Sequence, residues 1–302
     1  MVYDINGKPI GTQRAENVPN PLLHISLDDV EYCIKNLATN DFDSLFDEPL
    51  FGMLKEMHDE YGAVFSLYLY KLASAGLANV PDKYQQEYID NSRWLKFGFH
   101  QYDNASTYDV TTETATTHYN TFVSGVYNMC GGIGSIDRIP RLNYYAGTLA
   151  AIQGLRDANC GITGLLTADD SRNSYYLTES QADYIRAHSL MYDRENGLAF
   201  MDTGFRLDWF VNGYTSEYQY TVPVKSNPYD ELVYRYGQPD MGECYQNLVV
   251  FLHEWRVYSS SYQITASMKN MIEQVCRFGR DYGYDFDYPM NRVPNITSLA
   301  LS

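Results

Sequence analysis

The chain has 302 residues, enough for one large domain or two ordinary ones, and can bury roughly three quarters of its unfolded surface without disulfide or metal staples. Lysine and arginine number 22 against 38 aspartate and glutamate, a net charge of −16. Such a surface repels phosphate backbones and anionic bilayers, so neither nucleic acid nor a membrane is expected as a partner. Acidity on this scale also serves plain solubility.

The five cysteines, Cys33, Cys130, Cys160, Cys244 and Cys276, are widely spaced and contain no Cys-x-x-Cys pair. They read as small buried hydrophobes in a reducing compartment. Residues Met1 to Asn20 are polar and lack the apolar core of a signal peptide, so a cytoplasmic location is expected. The 29 tyrosines offer flat apolar faces with polar tips, which suits barrel exteriors and core edges as well as a wet, sugar-binding cleft.

In chain order, Leu22 to Val30 (LLHISLDDV) reads as a buried strand that ends in carboxylates. A helix follows, with Pro49 in its first turn and Gly62 closing it. Val64 to Tyr70 and Trp94 to His100 are further strands, with a helix over Pro81 to Asn91 between them. Thr111 to Met129 reads as a long helix, although its threonines disfavour that state. A short strand is expected over Arg141 to Tyr145, a helix over Thr148 to Asn159 and a strand over Gly161 to Ala168. Leu198 to Phe210 and Asn247 to His253 (NLVVFLH) complete the strands, and Ser267 to Tyr282 is a closing amphipathic helix.

Strands apolar throughout, alternating with helices, suit a parallel sheet buried on both faces. Polar residues gather at the strand ends: Asp28-Asp29, His100, Asp169-Asp170 and His253. In a barrel those C-terminal ends share one mouth. The expectation is therefore an α/β chain folded as one (β/α) barrel domain over residues 1–302, a distorted seven-stranded barrel with its core at about 22–282.

Each candidate has an ordinary reading. Asp28 and Asp29 could cap the next helix, and a lone histidine after an apolar strand is usually a packed one. Together, an Asp-Asp pair and two histidines at three strand ends supply metal ligands and an acid or base to one concave site. His24, inside its strand, reads as a packing residue, and His58 and His188 as surface ones.

The order of these features resembles the polysaccharide deacetylase superfamily, metal-dependent amide and ester hydrolases. The family's strand-terminal Asp-Asp is matched by SLDD (Ser26 to Asp29), and its histidine-bearing strand end by FHQYDN, with His100 in place. Asn104 stands where a second histidine is usual. Arg141 in RLNYYAG matches the arginine motif without its proline, LLTADD (Leu165 to Asp170) loosely matches the acidic strand end, and VFLHEW carries His253. The matches run from Leu22 to Tyr282, and each is short.

The resemblance implies a divalent metal, zinc, on Asp29 and His100. Asn104 is the first candidate for third ligand, one helical turn on if the segment is helical, with Asp103 and His118 as others. Asp28 would be the general base, Arg141 its orienting partner and His253 the general acid, with Asp169 or Asp170 tuning it. The implied substrate is a carbohydrate or small acylated compound that loses an acyl group. A catalytically silent saccharide-binding barrel and a metal-free glycoside hydrolase with opposed carboxylates are the alternatives. The sequence does not specify the sugar or the oligomeric state.

Overall fold

The computed structural model describes residues 2–4, 9–11, 20–211, 223–237 and 247–292. Cys244 lies outside them.

Two short strands open the chain, β1 (Val2–Asp4) and β2 (Pro9–Gly11). The long strand β3 (Leu22–Val30) has eight of nine residues buried, as the continuous apolar run requires of a strand covered on both faces. Helix α1 (Tyr32–Thr39) follows, then α2 (Pro49–Tyr61). Helix α2 begins where the Glu48 side chain accepts from the backbone N–H of Leu50 and Phe51, with Pro49 needing no partner. It ends at Gly62, whose φ of 74° is the left-handed conformation glycine adopts freely.

Strands β4 (Phe65–Leu69) and β5 (Leu95–Phe99) flank α3 (Gln85–Asn91). Helix α4 (Thr112–Cys130) forms despite its threonines. Thr111 caps it by accepting from Thr114 N–H, and the hydroxyls of Thr116, Thr117 and Thr121 donate back to carbonyls four residues earlier. The expected strand at 141–145 is absent. A tight turn takes its place, with Tyr144 and Tyr145 at φ 54° and 55°. Helix α5 (Leu149–Asp157) leads to β6 (Gly164–Leu166), shorter than predicted, and α6 (Glu179–His188) to the hairpin of β7 (Leu190–Asp193) and β8 (Leu198–Met201). The strand expected over 198–210 breaks after β8 into a two-residue strand, β9 (Phe205–Arg206), and a turn of 3₁₀ helix. Helix α7 (Pro228–Tyr236), β10 (Asn247–His253), the one-turn α8 (Glu254–Val257), α9 (Ala266–Asp281), β11 (Asp285–Phe286) and α10 (Pro289–Arg292) complete the described chain.

Hydrogen bonding arranges the strands in two sheets, β5-β4-β3-β10-β9 with β11 beside β3, and β2-β1-β7-β8-β6. The first is parallel throughout, while the β7–β8 and β1–β2 pairs are antiparallel. The result is a mixed α/β fold with a mostly parallel central sheet, and continuous ladders do not close it into a seven-stranded ring among the described residues. Residues 136–140, outside both sheets, bridge them instead. Asp137 N–H donates to Phe97 O, and Leu166 N–H donates to Pro140 O. Between the sheets sits a small cluster of Leu22, Tyr68, Ile139, Leu166, Met201 and Val249, and the larger core fills the space beneath the helices. No described helix is long and apolar enough to cross a membrane.

Candidate active site

Strands β3 and β10 are parallel neighbours in a register that sets His253 beside Asp28. The C-terminal ends of β10, β3, β4 and β5 therefore lie side by side. The β3–β4 register slips between Leu27 and Val30, and Asp29 takes φ 58°, a left-handed value aspartate tolerates better than most residues. This irregularity brings two adjacent carboxylates to one cleft, which a regular strand would send to opposite faces.

The cleft, of about 540 Å³, is lined by Asp28, Asp29, His100, Arg141, His253 and Trp255, together with Tyr144, Tyr145, Arg172, Arg206 and Phe251. Arg141 is 1% exposed, and its Nη1 donates to Asp28 Oδ1 at 2.7 Å. The guanidinium also donates to Ser26 Oγ (3.2 Å) and Thr203 Oγ1 (3.1 Å), and lies 4.2 Å from the Phe251 ring centre. Asp28 is thus held by a charge-assisted bond in a dry setting, where such bonds are strong.

His100 is buried, and its Nδ1 lies 2.6 Å from the backbone oxygen of Arg141. A carbonyl only accepts, so Nδ1 donates, and Nε2 is the ring nitrogen turned toward the cleft. That nitrogen stands 3.5 Å from Asp29 Oδ1. Either a proton on Nε2 or a metal between the two atoms satisfies this pair. The other Asp29 oxygen accepts from Trp255 Nε1 at 3.1 Å. Burial opposes ionisation of Asp29, but the hydrogen bond and charge of His100, the charge of His253 and the Trp255 N–H together hold its carboxyl below the ordinary value.

His253 Nδ1 is 2.6 Å from Asp208 Oδ2, and the Asp208 side chain is fully buried. Burial disfavours the imidazolium, yet the charge and hydrogen bond of Asp208, with Asp28 and Asp29 behind them, push the His253 pKa up to about 8. The ring is therefore mostly protonated at neutral pH.

The chain also overturns two expectations. Asp169 and Asp170 do not reach His253. Asp169 accepts from Arg206 at 2.6 and 2.9 Å and from Tyr145 OH at 2.8 Å, while Asp170 is gripped by Arg172. Two buried carboxylates next to two arginines form their own ion pairs, and the residue that tunes His253 is Asp208. Its only sequence signal is an acid in Leu-Asp-Trp just beyond a strand, masked when 198–210 is read as one element. Asn104 is the second. Residues 100–104 are not helical, so a four-residue step does not stack Asn104 on His100. Asn104 is exposed, does not line the cleft, and its Oδ1 accepts from Tyr70 OH at 2.5 Å. The other proposed substitutes are no nearer a ligand role: Asp103 accepts from Ala105 N–H, and His118 stacks on Tyr102 at 3.7 Å.

No protein-family model and no curated relative matches the chain. A crystal structure from Mycobacterium smegmatis, described as a candidate polysaccharide deacetylase, superposes on it with a TM-score of 0.54 at 12% identity, covering 96% of this chain and 94% of that one. The likeness is one of fold. It extends over nearly the whole of both chains.

The donor set bears on a metal. Among the described residues no group of three His, Cys, Asp or Glu is placed to hold one. Asp29 and His100 are the pair of cleft residues that could share a cation. Their donor atoms converge, and His100 is oriented through its other nitrogen by a backbone carbonyl, the usual support of a ligating histidine.

Proposed function

We propose that this protein is a hydrolase of the deacetylase type, removing an acetyl group from an N- or O-acetylated carbohydrate. The observation that carries the reading is the meeting of two oppositely prepared groups in one cleft, the carboxylate of Asp28 locked by Arg141 and the protonated imidazole of His253 locked by Asp208. A fixed carboxylate and a fixed imidazolium facing one cleft are the base and the acid that such hydrolysis needs.

In this reading Asp28 takes the proton from the attacking water, and Arg141 keeps Asp28 aimed. His253 delivers its proton to the departing nitrogen or oxygen, and Asp208 stabilises the charge His253 carries beforehand. Asp29 and His100 would hold a divalent cation, zinc being suited to this oxygen–nitrogen pair. Such a cation, when bound, polarises an acyl carbonyl and acidifies water. The exposed rings of Tyr144 and Trp255 at the cleft give a sugar ring apolar faces to lie against.

Acetate release from N-acetylated and O-acetylated oligosaccharides, measured with and without added zinc, tests this. Turnover by the wild type and its loss in His253→Ala are expected. Saccharide binding without acetate release from any substrate would sink the hydrolase reading in favour of a silent sugar-binding fold.

The departure at Asn104 has its own expected outcome. Because its side chain is committed to Tyr70, Asn104→Ala leaves zinc affinity within about threefold of wild type, under 1 kcal/mol. His100→Ala lowers it at least about 100-fold, since one of only two protein donors is gone. Titration calorimetry with zinc alone decides it, and a large loss in Asn104→Ala would return that residue to the ligand set.

A further inference from the structure

Helix α1 begins directly after the Asp28-Asp29 turn, and its own first residues do not cap it. Glu31, at the cap position, makes no side-chain bond to the helix backbone; its carboxylate is paired with Lys35 and lies 3.5 Å from Lys71. The cap comes from elsewhere in the chain. Glu254, fully buried, accepts from the backbone N–H of Glu31 (2.7 Å), Tyr32 (2.7 Å) and Cys33 (2.8 Å). Three consecutive N–H groups at a helix start are the donors a helix leaves unpaired, and the carboxylate also meets the positive end of the helix dipole.

Glu254 sits between His253 and Trp255. These three consecutive residues at the end of β10 all turn toward the end of β3: His253 stands beside Asp28 in register, Glu254 grips the backbone just past Asp29, and Trp255 bonds the Asp29 side chain. We infer that Glu254 is a positioning residue, holding the Asp28-Asp29 turn at a fixed distance from His253 and Trp255. The inference rests on the hydrolase reading for its purpose, but not for its geometry. Asp29 takes a left-handed conformation just past the last ladder pair with β10, where the ladder with β4 has slipped, so neither ladder locates the turn beyond Asp28. The Glu254 carboxylate supplies that constraint from the start of α8, directly after the neighbouring strand β10.

Glu254→Gln tests this. The amide offers one accepting oxygen where the carboxylate offers two, and its NH₂ group confronts a backbone donor. The indole N–H resonance of Trp255, read by ¹H–¹⁵N NMR, should move toward the position of an unbonded indole as Asp29 shifts. The Trp94 resonance, whose bond to Asn91 is remote from the turn, should stay. Zinc affinity, measured with the metal alone, should fall about 10–100-fold, as it does when the support of a ligand is removed. Thr265→Ala removes the ordinary cap of α9 and serves as the control for stability loss without either effect. If Glu254→Gln does not fold, the same readings are taken on Glu254→Asp, which keeps the charge one methylene short. An unmoved Trp255 resonance with wild-type zinc affinity in a destabilised variant would reduce Glu254 to a structural cap and overturn the inference. Absence of zinc binding by the wild type would count against the cation reading alone, and the Trp255 resonance would still decide the role of Glu254.

Discussion

Arg141→Met lowers the free energy of unfolding by about 3–5 kcal/mol and abolishes turnover, the cost expected when one member of a buried ion pair is removed. Arg141 and Asp28 are both almost completely buried, with side chains 1% and 4% exposed. Without the guanidinium, Asp28 loses its 2.7 Å ion pair in a buried setting. A buried carboxylate so placed relieves itself by taking up a proton, which also removes the base at neutral pH. Stability and activity therefore fall together, through one group. Asp28→Asn combined with Arg141→Met should recover part of the lost stability and none of the turnover, because the uncompensated charge is gone but so is the base. Urea unfolding at pH 7 measures all three. A loss below about 1 kcal/mol in Arg141→Met would mean that Asp28 is stabilised by something other than this pair.

Asp208→Asn gives the second large effect, and its signature is its pH dependence. The His253 pKa stands near 8 in the folded protein against an ordinary 6.5. A histidine raised by folding adds stability that is fully present below pH 6.5, where both folded and unfolded forms are protonated, and is lost as pH rises through 8. A shift of that size corresponds to about 2 kcal/mol. Asparagine can still accept a hydrogen bond from Nδ1, but it carries no charge, so burial prevails and the pKa drops. The variant should be about 2 kcal/mol less stable than wild type at pH 6, and this part of the deficit should vanish by pH 9. Turnover at pH 7 should fall about 10²–10⁴-fold, the worth of a positioned general acid, and its alkaline limb should move to lower pH. Urea unfolding at pH 6 and 9 checks the stability arm. Equal deficits at the two pH values would show that Asp208 supports packing and leaves the His253 proton alone.

Much of this protein is legible in its residues taken in order. Largely apolar runs such as LLHISLDDV and NLVVFLH leave little polar face for solvent, which suits parallel strands covered on both sides. Pro49 and Gly62 bracket α2 by local stereochemistry alone. Polar residues that close such runs have to emerge at the sheet's C-terminal edge, which is why Asp28, Asp29, His100 and His253 could be picked out before any coordinates. What the sequence could not determine is which charges become partners. Asp169 and Asp170 look as good a match for His253 as Asp208 does, because pairing depends on strand order and on where the chain bends, and those are properties of the packed sheets. Strand β9 lies beside β10, so the chain leaving it delivers Asp208 to His253, while Arg206 claims Asp169. Asn104 likewise fits a ligand pattern by spacing, and only the non-helical path after His100 turns it to Tyr70. The grip of Glu254 on residues 31–33 spans more than 220 positions of chain, a distance no local propensity encodes.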